Sequence, residues 1–239
     1  MESVRTLRGH AEGPVPSICV LEFDGDLTDW LVANGIARRF DRWACLHTTM
    51  YTVDFDGIEI GIIARTIGGP YAVLVAEQLH AAGAQLIVGL TSAGRIAPDL
   101  PLPCLVVATS AIRDEGTSFH YLPPASEVDC PSPVEQHFTR ELISTGWEVR
   151  SGRVWTTDAP YRESEDEIRR WGAEGALAVE MQAASLFAFA TARRSNVAVV
   201  AMVSNAVDHE GDQFNTGTES EGLGILKGIA RAGAAFLTV

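Results

Sequence analysis

The chain is short of cations, of clustered cysteines and of long apolar runs. Its 18 lysines and arginines face 31 aspartates and glutamates, a formal net charge of −13. Such a surface repels a nucleic-acid backbone or an anionic membrane, so neither is expected as a partner, although a local site can oppose the global sign. The four cysteines, Cys19, Cys45, Cys104 and Cys130, lie far apart with no CxxC pair. That spacing argues against zinc and for buried free thiols in a reducing compartment. The apolar run from Val197 to Val203 is too short to cross a bilayer. The opening MESVRTLRGHAEG has no apolar core of the secretory kind, so a cytoplasmic protein is expected. There is no GxGxxG and no GxxxxGK[ST], which removes the dinucleotide and P-loop readings. No internal repeat is visible, and neither a metal nor an organic cofactor is expected.

What is present is ordinary globular material, 46% apolar and 21% charged over 239 residues, enough for one large domain. Residues 1–16 read as a loose polar arm and 17–239 as the domain. Ser17–Phe23 has strand length and ends in the turn Asp24-Gly25-Asp26, after which Thr28 can cap a helix. Met50–Phe55 and Ile58–Arg65 flank Asp56-Gly57, a hairpin signal. Gly68-Gly69-Pro70 opens a helix over Tyr71–Ala82 and forms a possible anion cradle. Gln85–Leu90 is a buried strand followed by a Thr91-Ser92-Ala93-Gly94 turn. A nucleophile elbow would need glycine at residue 90, which is Leu, so a serine hydrolase is disfavoured. Pro103–Ser110 is a strand leading into the polar stretch Arg113–Tyr121, either a solvated loop or part of a site. After a proline-rich loop over 123–133, Val134–Ser144 is an amphipathic helix. Glu148–Thr156 is a strand delivering Thr157-Asp158-Ala159-Pro160-Tyr161, and Arg162–Trp171 is a charged helix. Asn196–Ser204 is a buried strand, and Glu219–Leu237 a closing helix.

The stretch GALAVEMQAASLFAFATA, Gly175–Ala192, organises the rest. A buried strand meets a helix there at Glu180-Met181-Gln182, and polar groups at such a junction need partners. Backbone amides can supply them, or a hydroxyl-rich ligand such as a sugar can. Strands alternating with helices predict an α/β fold with a mostly parallel twisted sheet flanked by helices. The polar clusters each follow a strand, so one crevice at the strand ends is the economical reading.

The order Gly25-Asp26, IGGP, Ser-Ala-Gly, Arg113…Gly116…Ser118…His120, Thr157-Asp158, Val179-Glu180-Met181 and Asn205 resembles the nucleoside phosphorylase superfamily from Ser17 onward. IGGP and IRDEGTSFHYLPP look most like uridine phosphorylases. The Ser-Ala-Gly segment and the Ser204-Asn205…Asp208 spacing look more like methylthioadenosine nucleosidases. The resemblance implies cleavage of a nucleoside N-glycosidic bond through an oxocarbenium-like transition state, with phosphate or water as nucleophile. It implies Gly25, Gly68, Gly69 and Ser92 near an anion, with Arg65 and Arg113 as candidate replacements for arginines of that pattern that are missing here, and Met181, Gln182, Glu180, Ser92, Tyr161 and His120 near sugar and base. Asn205 and Asp158 are the implied catalytic residues. Inorganic phosphate is the implied co-substrate, and a homo-oligomer, dimer or trimer of dimers, is the implied assembly.

Three departures from that pattern stand out. The arginines that hold phosphate are replaced by Asp29 and Gly89, and the neighbouring subunit's arginine falls near Leu46 or His47. Gln182 replaces a ribose-binding glutamate, and a neutral amide accepts fewer hydroxyl hydrogens. Ser164 and Asp166 stand where uridine phosphorylases carry a Gln/Arg pair for uracil, and Asn205 lacks the proton that a methylthioadenosine nucleosidase donates. Phosphorolysis is the leading expectation. A phosphate-independent nucleosidase and a non-catalytic nucleoside-binding protein are the alternatives.

Overall fold

The computed structural model describes residues 14–45, 47–206 and 218–238. Most of the expected arm, residues 1–13, together with Leu46 and Asp208, lies outside the described residues. The arm's last residues are packed: Val15 is buried and its N–H donates to the Ala82 carbonyl at 3.3 Å.

Strands β1 (Ile18–Glu22), β2 (Arg38–Arg39), β3 (Met50–Phe55), β4 (Ile58–Ile63), β5 (Leu86–Arg95) and β6 (Cys104–Asp114) are followed by β7 (Glu127–Asp129), β8 (Val149–Thr157), β9 (Ala176–Glu180) and β10 (Asn196–Ala206). The helices are α1 (Asp26–Ala33), α2 (Gly69–Ala81), α3 (Glu135–Ser144), α4 (Glu165–Ala173), α5 (Ala183–Arg193) and α6 (Glu219–Leu237). The β3–β4 hairpin turns at Asp56-Gly57 as expected, with both residues at positive φ. Short 3₁₀ turns, Thr117–His120 and Pro160–Arg162, follow β6 and β8.

The ten strands form one sheet. Its long ladders, β5 with β10 and β6 with β8, are parallel. Antiparallel pairings of β10 with β6 and β5 with β9 close five strands into a small barrel, β5-β10-β6-β8-β9. The sheet is therefore mixed rather than simply parallel. The cause is the length of β5. One of its edges pairs with β1 through Leu90, then runs on past the end of β1 and is taken up by β9 at Gly94 and Arg95. An unpaired strand edge in an interior is costly, and closure removes it.

Side chains alternate between the two faces of the strands. Cys19, Leu21 and Ile87 pack with α2 and α5, whereas Ile18, Val20, Leu86 and Val88 pack with α1, α3 and α6. Trp155 and Trp171 hold α4 in a smaller cluster. No helix among the described residues is long and apolar enough to cross a membrane.

Three expected local features differ, the first being the loop expected over 123–133, which carries β7 paired to β6. Thr91–Gly94 is strand, not turn, because β10 pairs with it throughout. Thr28 lies inside α1 and does not cap it; the carboxylate of Glu22 reaches the first-turn N–H groups instead.

Candidate functional site

Between the end of its β1 pairing at Leu90 and the start of its β9 pairing at Gly94, β5 leaves one edge open over Thr91, Ser92 and Ala93. A cavity of about 290 Å³ lies beside this opening, at the carboxyl end of β1 and against Leu90–Ser92 of β5 and Met202 of β10. Its lining includes Glu22, Asp24 and Asp26, the hydroxyl residues Thr91, Ser92 and Thr218, and apolar Leu90, Met202 and Ile225. Of the expected site residues, Ser92 lines this cavity, and Gly25 sits between two of its lining carboxylates.

Ser92 Oγ donates to Asp24 Oδ1 at 3.2 Å. Burial pushes the Asp24 carboxyl up to about 6, with the nearby Asp26 charge adding to the rise and the Ser92 hydrogen bond opposing it. Glu22 accepts from the N–H groups of Gly25 at 3.1 Å, Leu27 at 3.0 Å and Thr28 at 3.0 Å, and from the Thr28 hydroxyl. Burial raises its carboxyl, and these bonds pull it back. Gly25, at φ 99°, is needed for a second reason: a Cβ there would lie 2.7 Å from Arg65 Cγ. Arg65 thus lies against the turn, itself at φ 58°, with its two terminal guanidinium nitrogens on the two oxygens of Asp29.

Asn205 is opposite Gly94 across the β5–β10 ladder, after a bulge, and Val179 is opposite the same glycine on β9. The barrel therefore brings Asn205 and the Glu180-Met181 corner to either side of the residue two beyond Ser92. Glu180 is buried and receives hydrogen bonds from Thr156 Oγ1 and from the N–H groups of Gln182 at 2.6 Å and Ala183 at 2.9 Å. It caps α5, which is the backbone solution to the buried carboxylate. Its carboxyl is pushed up to about 7, first by burial and last by the charge of Glu115. Met181 is half-buried. Gln182 is 0% exposed, and neither end of its amide has a partner among the described residues. Its Nε2 faces the space at Gly89, 3.7 Å from where a Cβ would stand.

The other expected residues sit apart from the cavity. Arg113 is buried, with Nε on Ser118 Oγ at 2.8 Å, Nη1 on the Pro123 carbonyl at 2.8 Å and Nη2 on the Leu122 carbonyl at 3.3 Å. It ties down the segment after β6. Gly69 packs so closely on Ser185 that a Cβ would overlap its hydroxyl, while Gly68, at φ 79°, carries the entry to α2. Asp158 accepts from the Gly116 N–H at 2.8 Å. His120 is exposed, as is Tyr161, which is 99% so. His47 is exposed and its carbonyl accepts from Tyr71 at 3.3 Å. Ser164 is the N-cap of α4, and Asp166 pairs with Arg169 on that helix.

Glu22 and Asp24 were not foreseen as site residues. The signal was available: a carboxylate ending an apolar strand directly before a glycine turn and a helix. Among the described residues, no group of three or more His, Cys, Asp or Glu is placed to hold a metal.

The model of the phosphorylase superfamily matches residues 20–230. A guanosine phosphorylase of Halorubrum lacusprofundi is 28% identical over 182 residues, 70% of this chain and 74% of the relative. A purine nucleoside phosphorylase of the DeoD type from Exiguobacterium sibiricum is 25% identical over 159 residues, 65% of this chain and 67% of that one. A uridine phosphorylase of Thermococcus kodakarensis is 32% identical over 136 residues, 55% of this chain and 46% of that one.

Proposed function

Because the chain belongs to the phosphorylase superfamily, we propose that it cleaves the N-glycosidic bond of a nucleoside as an enzyme of the pentosyltransferase type. The observation that carries this reading is the cavity in which Ser92 stands against Asp24. It combines hydroxyl and carboxylate groups, suited to a sugar, with apolar Leu90, Met202 and Ile225, suited to the flat faces of sugar and base. The relatives' names span guanosine, purine nucleosides and uridine, so the substrate is taken as a nucleoside without choice of base.

Phosphorolysis is the reaction in those names. Arg65, lying against Gly25, is the cation that favours it, with Ser92 in the wall of the adjoining cavity, while Gly68 and Gly69 sit apart at the entry to α2. Water as nucleophile is favoured by the carboxylates that line the cavity. In either case Met181 and Gln182 attend the sugar. Asn205, opposite Gly94, hydrogen-bonds the departing base, with Asp158 as the alternative acid. A homo-oligomer belongs to the same reading; Ile67, Leu74 and Phe119 are large apolar side chains left exposed for contact.

The test is base release from a panel of purine and pyrimidine nucleosides. Asn205→Ala is expected to lower kcat by roughly a hundredfold. If turnover is found and neither Asn205→Ala nor Asp158→Ala reduces it, the assignment of these residues fails.

A further inference from the structure

The turn after β1 is shaped to receive an anion, and it already holds one. Glu22, 4% exposed, occupies the N–H groups of Gly25, Leu27 and Thr28 with its own carboxylate. These are the donors that a phosphate at the first turn of α1 would need. Arg65, which lies against this turn, is clamped by Asp29, and Arg113 is engaged by Ser118 and two carbonyls. The adjoining cavity is lined by Glu22, Asp24 and Asp26, with no lysine, arginine or histidine among its described lining residues. A phosphate entering would meet three acidic side chains and find the helix N–H groups taken. A water molecule meets neither obstacle, and Asp24, oriented by the Ser92 hydroxyl, is a carboxylate facing the same space.

Resting on the reading of this crevice as a nucleoside site, we propose that the glycosyl acceptor in this chain is water, with Asp24 as the group that takes its proton. The water oxygen bonds to the anomeric carbon as the carbon–nitrogen bond breaks. The bonding pair leaves on the base nitrogen, which gains a proton from solvent, and the proton lost by water passes to the Asp24 carboxylate and then to solvent. The products are free sugar and free base. Ser92 positions Asp24, and Glu22 acts as a built-in plug of the anion cradle.

Two readouts separate this proposal from the nucleoside reading beneath it. Base release is followed with and without inorganic phosphate and the sugar product is identified, while phosphate binding to the protein is measured by calorimetry. The expected result is equal release in both buffers, free reducing sugar, and no heat of phosphate binding. Release that needs phosphate and yields a sugar 1-phosphate overturns the water step and leaves the nucleoside reading standing, as does saturable phosphate binding. No release from any nucleoside in either buffer overturns both. Asp24→Asn, checked for folding by its melting curve, is expected to lose at least roughly a hundredfold in kcat with little change in KM. Retained turnover in a folded Asp24→Asn removes the base assignment.

Discussion

Gln182 is buried with an amide that meets no partner among the described residues, an arrangement that costs about 1–3 kcal/mol. Methionine has a similar length and no such need. Gln182→Met is therefore expected to stabilise the protein by about 1–2 kcal/mol, read as a higher midpoint in urea. If the amide contacts the sugar, the same variant raises KM; a destabilised variant would instead mean that the amide is satisfied. Asp24 presents the opposite case, a titrating group with a partner. Its folded pKa, about 6, lies above the ordinary aspartate value. The folded state then holds a proton that the unfolded chain has released. Its contribution to stability is present in acid and is lost as pH rises from the ordinary carboxylate range through about 6. Asp24→Asn should remove that part of the pH dependence.

At the scale of elements, α2 and α5 meet at a point with no spare volume. Gly69, the first residue of α2, packs on Ser185 of α5, whose hydroxyl donates to the buried Glu115 at 2.6 Å. Glu115 in turn accepts from the Ser118 N–H, so one contact joins two helices to the segment after β6. Gly69→Ala is expected to cost about 1–3 kcal/mol or more from overpacking. Combining it with Ser185→Gly should return part of that loss relative to the sum of the single changes. Strict additivity in a double-mutant cycle by chemical denaturation would sink this account. At two helices the starts follow local rules. Ser164 and Thr218 form capping boxes on α4 and α6, with Glu167 and Glu221 as their third-position partners. At α1 and α5 the rule is replaced by a carboxylate from the preceding strand, Glu22 or Glu180.

Across the whole molecule, these buried carboxyls act in one direction. Glu22, Asp24 and Glu180 are all raised by burial, Asp24 to about 6 and Glu180 to about 7. Each binds protons more tightly folded than unfolded, so stability falls with rising pH across the interval from the ordinary carboxylate range to about 7. The formal net charge of −13 adds self-repulsion on the same side. Carboxyls lowered by partners, such as Asp29 and Asp56, pull the other way but are exposed and screened. The melting temperature is expected to fall between about pH 5 and about pH 7 and to rise with added salt. Glu180→Gln should flatten the pH profile. A profile that rises over this interval in calorimetry would refute the sign.

The sequence by itself determined the elements: the Asp56-Gly57 hairpin, the glycine-opened helix α2, the closing helix over Glu219–Leu237 and the strand-to-helix corner at Glu180. These follow from periodicity, turn chemistry and capping, which act over a few neighbouring residues. The same local reading made Thr91–Gly94 a turn and Thr28 a cap, because nothing nearby announces β10 or the reach of Glu22. Only the tertiary structure decided that the sheet closes into a barrel, that the open edge beside Ser92 adjoins a cavity, and that Arg113 is tied to carbonyls while Arg65 answers Asp29. Those outcomes depend on which polar groups meet across tens of residues of chain. A charge's partner is a property of packing, which residue type and spacing do not encode.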